Sequence, residues 1–266
     1  MLIVAERINA TRKSVRQALE EKKADFFIQE AKKQEEAGAH FIDVNAGANP
    51  EREAEDLPWI VEVIQDKVSI PLCLDSANHE AISEALRIYK KDEVMINSFT
   101  AEEERMEAIL PLAAEYGASV VGLAMGEGGI TESAKDRMKL VEKLVVGVEK
   151  YNIPREKLLV DPLVVPVGTD QTQGKVFLET LANIKRDYPE VKTICGLSNV
   201  SFGLPNRRLI NRAFMALCVG YGLEAVILDP TDLKLVAILL ASEVLMGRDE
   251  FCINYLAAYR RGALEV

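Results

Sequence analysis

The chain has 266 residues, 48% of them apolar, and a formal net charge of −10. That apolar share over that length supplies one large core, and the acidic balance argues against a sequence-independent grip on nucleic acid, which needs clustered Lys and Arg. No apolar run nears the roughly 20 residues of a membrane span, so neither nucleic acid nor membrane is an expected partner.

The first residues, "MLIVAE", read as a strand with no basic n-region before it, which leads us to expect a cytoplasmic protein. Short β-branched apolar runs then recur along the chain: "LIVA" from Leu2, "FIDV" from Phe41, "PLCL" from Pro71 and "VMI" from Val94. They continue as "SVVGLAM" from Ser119, "KLLV" from Lys157, "KTICGL" from Lys192 and "EAVIL" from Glu224. Between them lie charge-rich segments with helical spacing, such as "ADFFIQEAKKQEEAGA" and "TAEEERMEAILPLAAEYG". Gly38, Gly117 and Gly222 stand where helices end before the next strand. Eight β/α units with no Pro/Gly/Ser-rich linker predict one domain over residues 1–266, a single eight-stranded β/α (TIM-like) barrel. An open doubly wound sheet is the rival and ordinarily has fewer strands or a longer chain.

The strand ends are polar. They carry Glu6, Asp43 with Asn45, Asp75 with Asn78, Asn97, Asp161, Ser198 with Asn199, and Asp229, with Met125 the exception. In a β/α barrel these ends converge on one face, where the βα loops build the site. A lone Asp after a strand is often only the N-cap of the next helix, but seven polar strand ends mark this face as functional.

Several chemistries are thin here. His40 falls in a helix-to-strand turn and His79 at a helix start, neither placed as a metal ligand. No lysine ends a strand, which disfavours a Schiff-base enzyme, and "GEGG" at Gly126–Gly129 is a loop cluster rather than a phosphate fingerprint. The four cysteines (Cys73, Cys195, Cys218, Cys252) have no ligand spacing and read as buried thiols. Two ligands remain in view. Asp43, Asp75, Asp161 and Asp229 are hard oxygen donors for a divalent cation. Alternatively, a carboxylate matches a ring N–H beside an exocyclic amine with two parallel hydrogen bonds, and Asn both donates and accepts, so it follows a ring nitrogen through protonation changes. Asp together with Asn suits a pterin better than a cation.

The stretch "GLSNVSFGLPNRRLINRAF" resembles the seventh-strand motif of the pterin-binding methyltransferases. These include methyltetrahydrofolate:corrinoid iron–sulfur protein methyltransferase and the folate domain of cobalamin-dependent methionine synthase, with dihydropteroate synthase more distant. "IVAERINAT", "FIDVNAG", "LCLDSAN", "MINS" and "LLVDPLVVPVGTD" follow in the family's order, so the resemblance runs from Leu2 to beyond Asp229. It implies a methyltransferase moving a methyl group between N-5 of tetrahydrofolate and the cobalt of a corrinoid carried by a separate protein, in either direction, with no protein-bound metal. By motif, Asp75, Asn97 and Asp161 hold the pterin edge, and Asn199 contacts N-5. Asp75 and Asn97 relay its proton, Gly196 and Ser198 shape the same wall, and Arg207 lies against the folate. Glu6 and Asn9 also fall at the site, unless Glu6 is tied up with Arg7. Asp43 and Asn45 read as supporting or metal-like residues. Phe202 follows the motif as in methionine synthase, whereas the iron–sulfur protein enzymes carry a polar residue there.

The length resembles a stand-alone domain, and the resemblance further implies a homodimer with an open mouth. Two other readings stand beside it: a dihydropteroate synthase, which wants basic groups for pyrophosphate where "LDPTD" is acidic, and a folate-binding protein without catalysis.

Overall fold

The structure, a computed structural model, describes residues 1–264. Seven parallel strands form one continuous run of neighbours: β1 (Leu2–Asn9), β2 (Phe41–Asn45), β3 (Leu72–Asp75), β4 (Val94–Thr100), β5 (Ser119–Leu123), β8 (Leu158–Asp161) and β9 (Lys192–Thr193). The last strand, β10 (Ala225–Leu228), pairs with β1. On its other side the Ile227 N–H donates to the Cys195 carbonyl at 2.9 Å and Gly196 bridges Ile227, which closes the ring into a barrel.

Helices alternate with these strands: α1 (Lys13–Glu20), α2 (Ala24–Glu36), α3 (Glu53–Ile64), α4 (His79–Ile88), α5 (Glu103–Glu115), α6 (Ala134–Lys150), α7 (Gln173–Asp187), α8 (Arg207–Gly220), α9 (Leu233–Leu245) and α10 (Ile253–Arg260). Gly38, Gly117 and Gly222 have φ of +91°, +60° and +106°, the left-handed conformation that ends a helix without a Cβ clash.

Because strand side chains alternate, each strand serves two cores. One face packs outward on the helices, with Ile42, Val44, Leu72, Leu74, Ile96, Val120 and Val160 in one large cluster. The other fills the barrel axis with Val4, Phe41, Cys73, Met95, Val121, Leu159, Ile194 and Ala225. Two residues beyond these inward side chains come Asp43, Asp75, Asn97, Asp161 and Gly196. The apolar plug is thus the floor of the site, and period two puts the polar residues directly above it.

Three local departures from the sequence pattern matter. The run "LIVA" ends at Ala5, yet β1 continues to Asn9 through a bulge between Ala5 and Ile8. There the Arg7 N–H leaves the ladder and donates to the buried Gln34 side chain at 2.8 Å. "SVVGLAM" splits, because Met125–Gly126 (β6) pairs antiparallel with Gly129–Ile130 (β7) and makes "GEGG" a small hairpin. "KTICGL" keeps only two ladder residues before a 3₁₀ turn at Leu197–Ser201.

Candidate active site

The polar wall has its deepest point at Asp43, which is buried and accepts from the Asn97 amide at 3.3 Å. Burial, and then the neighbouring Asp75 charge, push the Asp43 carboxyl well above the usual range. Asp75 lies beside Asn97 in register and accepts from the Asn45 amide at 3.1 Å. Burial raises Asp75 to about 6 against the hydrogen bonds from Asn45 and Asp43. Asp43, Asn45, Asp75 and Asn97 therefore form one hydrogen-bonded group across β2, β3 and β4. Sequence alone left Asp43 among supporting residues, and its place at the centre of this group is a tertiary fact.

Asp161 closes the wall from β8. Burial raises it to about 7, opposed by the backbone N–H groups of Leu163 and Gly196, which hydrogen-bond to it; the Leu163 contact is 2.8 Å. A fully buried arginine, Arg137 on α6, holds this corner. Its guanidinium donates to the Pro162 and Leu163 carbonyls at 3.0 and 2.9 Å and to Gln173 Oε1 at 2.5 Å. Sequence reasoning passed over Arg137, although it sits on the face that also buries Val141, Leu144 and Val148. A cation on an apolar stripe was the available signal.

Asn199 lies in the 3₁₀ turn after β9 and is exposed. Its side-chain amide makes no hydrogen bond among the described residues, so its donor and acceptor are both free. A Cβ on Gly196 would come within 3.1 Å of Asn199 Nδ2, so the glycine leaves room for that amide. Arg207, the first residue of α8, donates to the Ser198 carbonyl at 2.6 Å and to Ser201 Oγ at 3.1 Å, and lies over the exposed Phe202 ring. Strand nine ends early because these residues leave the ladder to build the turn.

Glu6, Ser198 and Arg207 share a cleft of about 790 Å³ beside this wall, over the ends of β1, β9 and β10. Arg7 does not pair with Glu6; it bonds Glu30 at 2.7 Å and Asp229 at 2.8 Å. Glu6 is pushed up to about 7 by burial and then by the Asp229 charge. Burial also lifts Asp229, but the Thr231 hydroxyl and N–H together with Arg7 hold it below its ordinary value. Two predicted strand-end residues are local caps: Asn78 accepts from the Glu80 N–H at 3.0 Å, and Asn9 from the Thr11 N–H at 3.0 Å. Among the described residues, no three His, Cys, Asp or Glu side chains group as ligands for a metal ion. His40 accepts the Ile3 N–H through Nδ1, a structural role. Another recess, about 630 Å³ between α5 and α6, carries none of the predicted site residues.

A β/α barrel with a carboxyl-and-amide wall above an apolar plug defines the pterin-binding class, and the chain belongs to it: the family described as pterin binding enzyme matches residues 5–229. Within that family the chain is 33% identical to the methylcorrinoid:tetrahydrofolate methyltransferase of Eubacterium limosum, over 99% of this chain and 98% of that one. It is 27% identical to methionine synthase of Mycobacterium tuberculosis over 88% of this chain, which spans 21% of that larger protein. Among solved structures, dihydropteroate synthase of Yersinia pestis with a pterine–sulfa conjugate superposes with a TM-score of 0.71 at 17% identity, covering 92% and 93% of the two chains. That likeness concerns the fold.

Proposed function

We propose that this chain is a tetrahydrofolate:corrinoid protein methyltransferase, moving a methyl group between cobalt of a corrinoid on a separate protein and N-5 of tetrahydrofolate. The observation that carries it is the free Asn199 amide at the mouth beside the wall of half-buried Asp75 and Asn97 and buried Asp161. Identity with the E. limosum enzyme over nearly the whole of both chains supports the reading, and its name favours the direction from methylcorrinoid to tetrahydrofolate.

In that direction the N-5 lone pair attacks the methyl carbon, the cobalt–carbon bond breaks with its electron pair on cobalt, and N-5 becomes cationic until its proton leaves. Asp161 and Asp75 pair with the N–H groups of the pterin edge, and the apolar plug beneath sets its depth. Asn199 meets N-5 with a neutral dipole. Its carbonyl strengthens a hydrogen bond to the N-5 hydrogen as positive charge builds, so it stabilises the transition state more than the ground state. A fixed carboxylate there would favour a charged ground state equally. Asp75, with a value of about 6, is ionised near neutrality and takes the proton, with Asn97 alongside holding it in place.

The functional unit is one domain, a homodimer acting in the cytoplasm. An exposed apolar patch supports the dimer: Leu245, Phe251, Ile253 and Tyr259 are 85%, 81%, 61% and 69% exposed. Leu245 ends α9, Phe251 lies in the 3₁₀ turn that follows, and Ile253 and Tyr259 lie on α10. Burying these side chains against a second copy would take apolar surface from water, and by family resemblance the two mouths of the dimer face outward. The decisive experiment is single-turnover transfer from a methylated corrinoid protein to tetrahydrofolate, followed by the corrinoid spectrum. Coupling of a pterin pyrophosphate to an aromatic amine, with no methyl transfer, would instead make it a synthase. Light scattering at a monomer mass would reject the dimer.

A further inference from the structure

The recess between α5 and α6 begins at the barrel mouth. The β6–β7 hairpin lines its upper end and is tied to the strand ends there. The Ala101 N–H donates to the Met125 carbonyl at 2.8 Å, and the Ala124 N–H to the Asp161 carbonyl at 2.9 Å. The floor is apolar, with Met106, Leu140 and two side chains left in water, Val146 at 57% and Ile130 at 43% exposed. Gly147 on α6 keeps the helices close, since a Cβ there would come within 2.7 Å of Met106 Sδ.

The rim is charged, and the two signs are segregated. Glu102, Glu103, Glu107 and Glu127 line the end at the mouth, whereas Lys143 and Lys150 line the end where α6 finishes. Among the described residues none of the six has an ion-pair partner; Lys150 lies over the Tyr151 ring at 5.7 Å. Acidic residues in the first turn of α5 suit its own dipole, but that accounts neither for Glu107, in the second turn, nor for Glu127, on the hairpin. The recess follows α6 from Leu140 to Tyr151, about 16 Å along the axis, which is the length of a helix of about three turns. An apolar trough of that length fits the apolar face of an amphipathic helix. Its charges ask for a helix that is basic at the end nearest the mouth and acidic at the other.

On the function proposed above, one macromolecule must come to this mouth, the protein that carries the corrinoid. We infer that the α5–α6 groove anchors that protein through a surface helix whose basic end points to the mouth. The inference rests on the methyltransferase reading. An anchor beside the mouth leaves the opening itself clear for cobalt to approach and withdraw. It also makes the meeting of corrinoid and pterin an intramolecular event at a raised effective concentration.

The test measures transfer to tetrahydrofolate from two donors, a methylated corrinoid protein and free methylcobalamin. It compares the parent with a Glu103→Gln, Glu107→Gln, Glu127→Gln triple variant and with Val146→Asp, all at exposed positions outside the pterin site. Each variant should raise KM for the corrinoid protein about tenfold and leave kcat within about twofold, the mark of lost uniform binding. With free methylcobalamin, which has no helix to dock, both variants should match the parent. Added salt should bring the parent's KM towards that of the triple variant. An unchanged KM in both variants overturns the inference and leaves the methyltransferase reading standing. A loss shared equally by both donors also overturns it, since the hairpin would then act on the site through Asp161. No transfer to the parent from either donor removes the methyltransferase reading itself.

Discussion

Two halves of the barrel mouth solve opposite electrostatic problems. Over β2, β3, β4 and β8, carboxyls are buried or half-buried, linked to amides or backbone N–H groups, and pushed upward: Asp75 to about 6 and Asp161 to about 7. Over β9, β10 and β1, cations stand partly in solvent, two of them, Arg12 and Arg208, with carboxylates only at 3.9 Å. The first half offers a ligand shape and directed hydrogen bonds, and each buried group left unmatched there is costly. The second attracts by net charge in a wet cleft, where each contact is weak and screened. Asn199 stands between them, a neutral dipole at the point where, on the function proposed above, the reaction changes charge.

The largest effect that would sharpen this contrast is at Asn199. Asn199→Ala should slow methyl transfer by about 10²–10³-fold, roughly 3–4 kcal/mol, as loss of one preorganised dipole does. Folate affinity should fall by only about 0.5–1.5 kcal/mol. Single-turnover rates at saturating corrinoid protein, set beside dissociation constants, separate the two; a parent-like rate at saturating folate would sink the role given to Asn199.

Asp161→Ala should invert that balance. Removing the carboxyl leaves ring N–H donors unpaired against a dry wall, a binding loss of about 1–3 kcal/mol, with a smaller change in the rate of bound substrate. Titration of tetrahydrofolate reads this directly, and an unchanged dissociation constant would remove Asp161 from the pterin edge.

Arg137 tests whether the wall is held from behind. Arg137→Met should strand the Pro162 and Leu163 carbonyls and Gln173 in the interior, lowering stability by about 1–3 kcal/mol in urea unfolding. It should also weaken folate binding through Asp161, whereas Arg208→Gln in the wet half should leave stability within about 0.5 kcal/mol.

The smallest effect is a pH dependence. Asp161 has a folded value of about 7 against an ordinary 3.8, so the fold holds its proton more tightly than the unfolded chain does. Stability from this group is therefore full below about 4 and lost as pH rises through about 7. Asp161→Asn, which carries no proton to lose, should gain in melting temperature relative to the parent at pH 8 and not at pH 4. Parallel melting curves at both pH values would contradict the raised value.

Much of this was readable in the chain. Eight apolar runs separated by helical segments led to a barrel, and Gly38, Gly117 and Gly222 marked helix ends that take positive φ. Asp75, Asn97 and Asp161 could be named because each ends an apolar run and falls in a motif that resembles the family's; the structure then sets each two residues beyond an inward apolar position, as strand alternation requires. What depends on a single strand or its period is local, and local chemistry is written in order along the sequence. The remainder was decided in three dimensions. Asp43 becomes the centre of a hydrogen-bonded group only because β2 lies close enough to β4 for Asn97 to reach it. Arg137 supports Asp161 from a helix 24 positions earlier in the numbering, through carbonyls that no pattern assigns to it. Arg7 turns to Glu30 and Asp229 rather than Glu6 because a bulge rotates β1 at that point. Pairing, burial and the charge of a cleft are sums over neighbours from distant segments, so they exist only once the ring has closed.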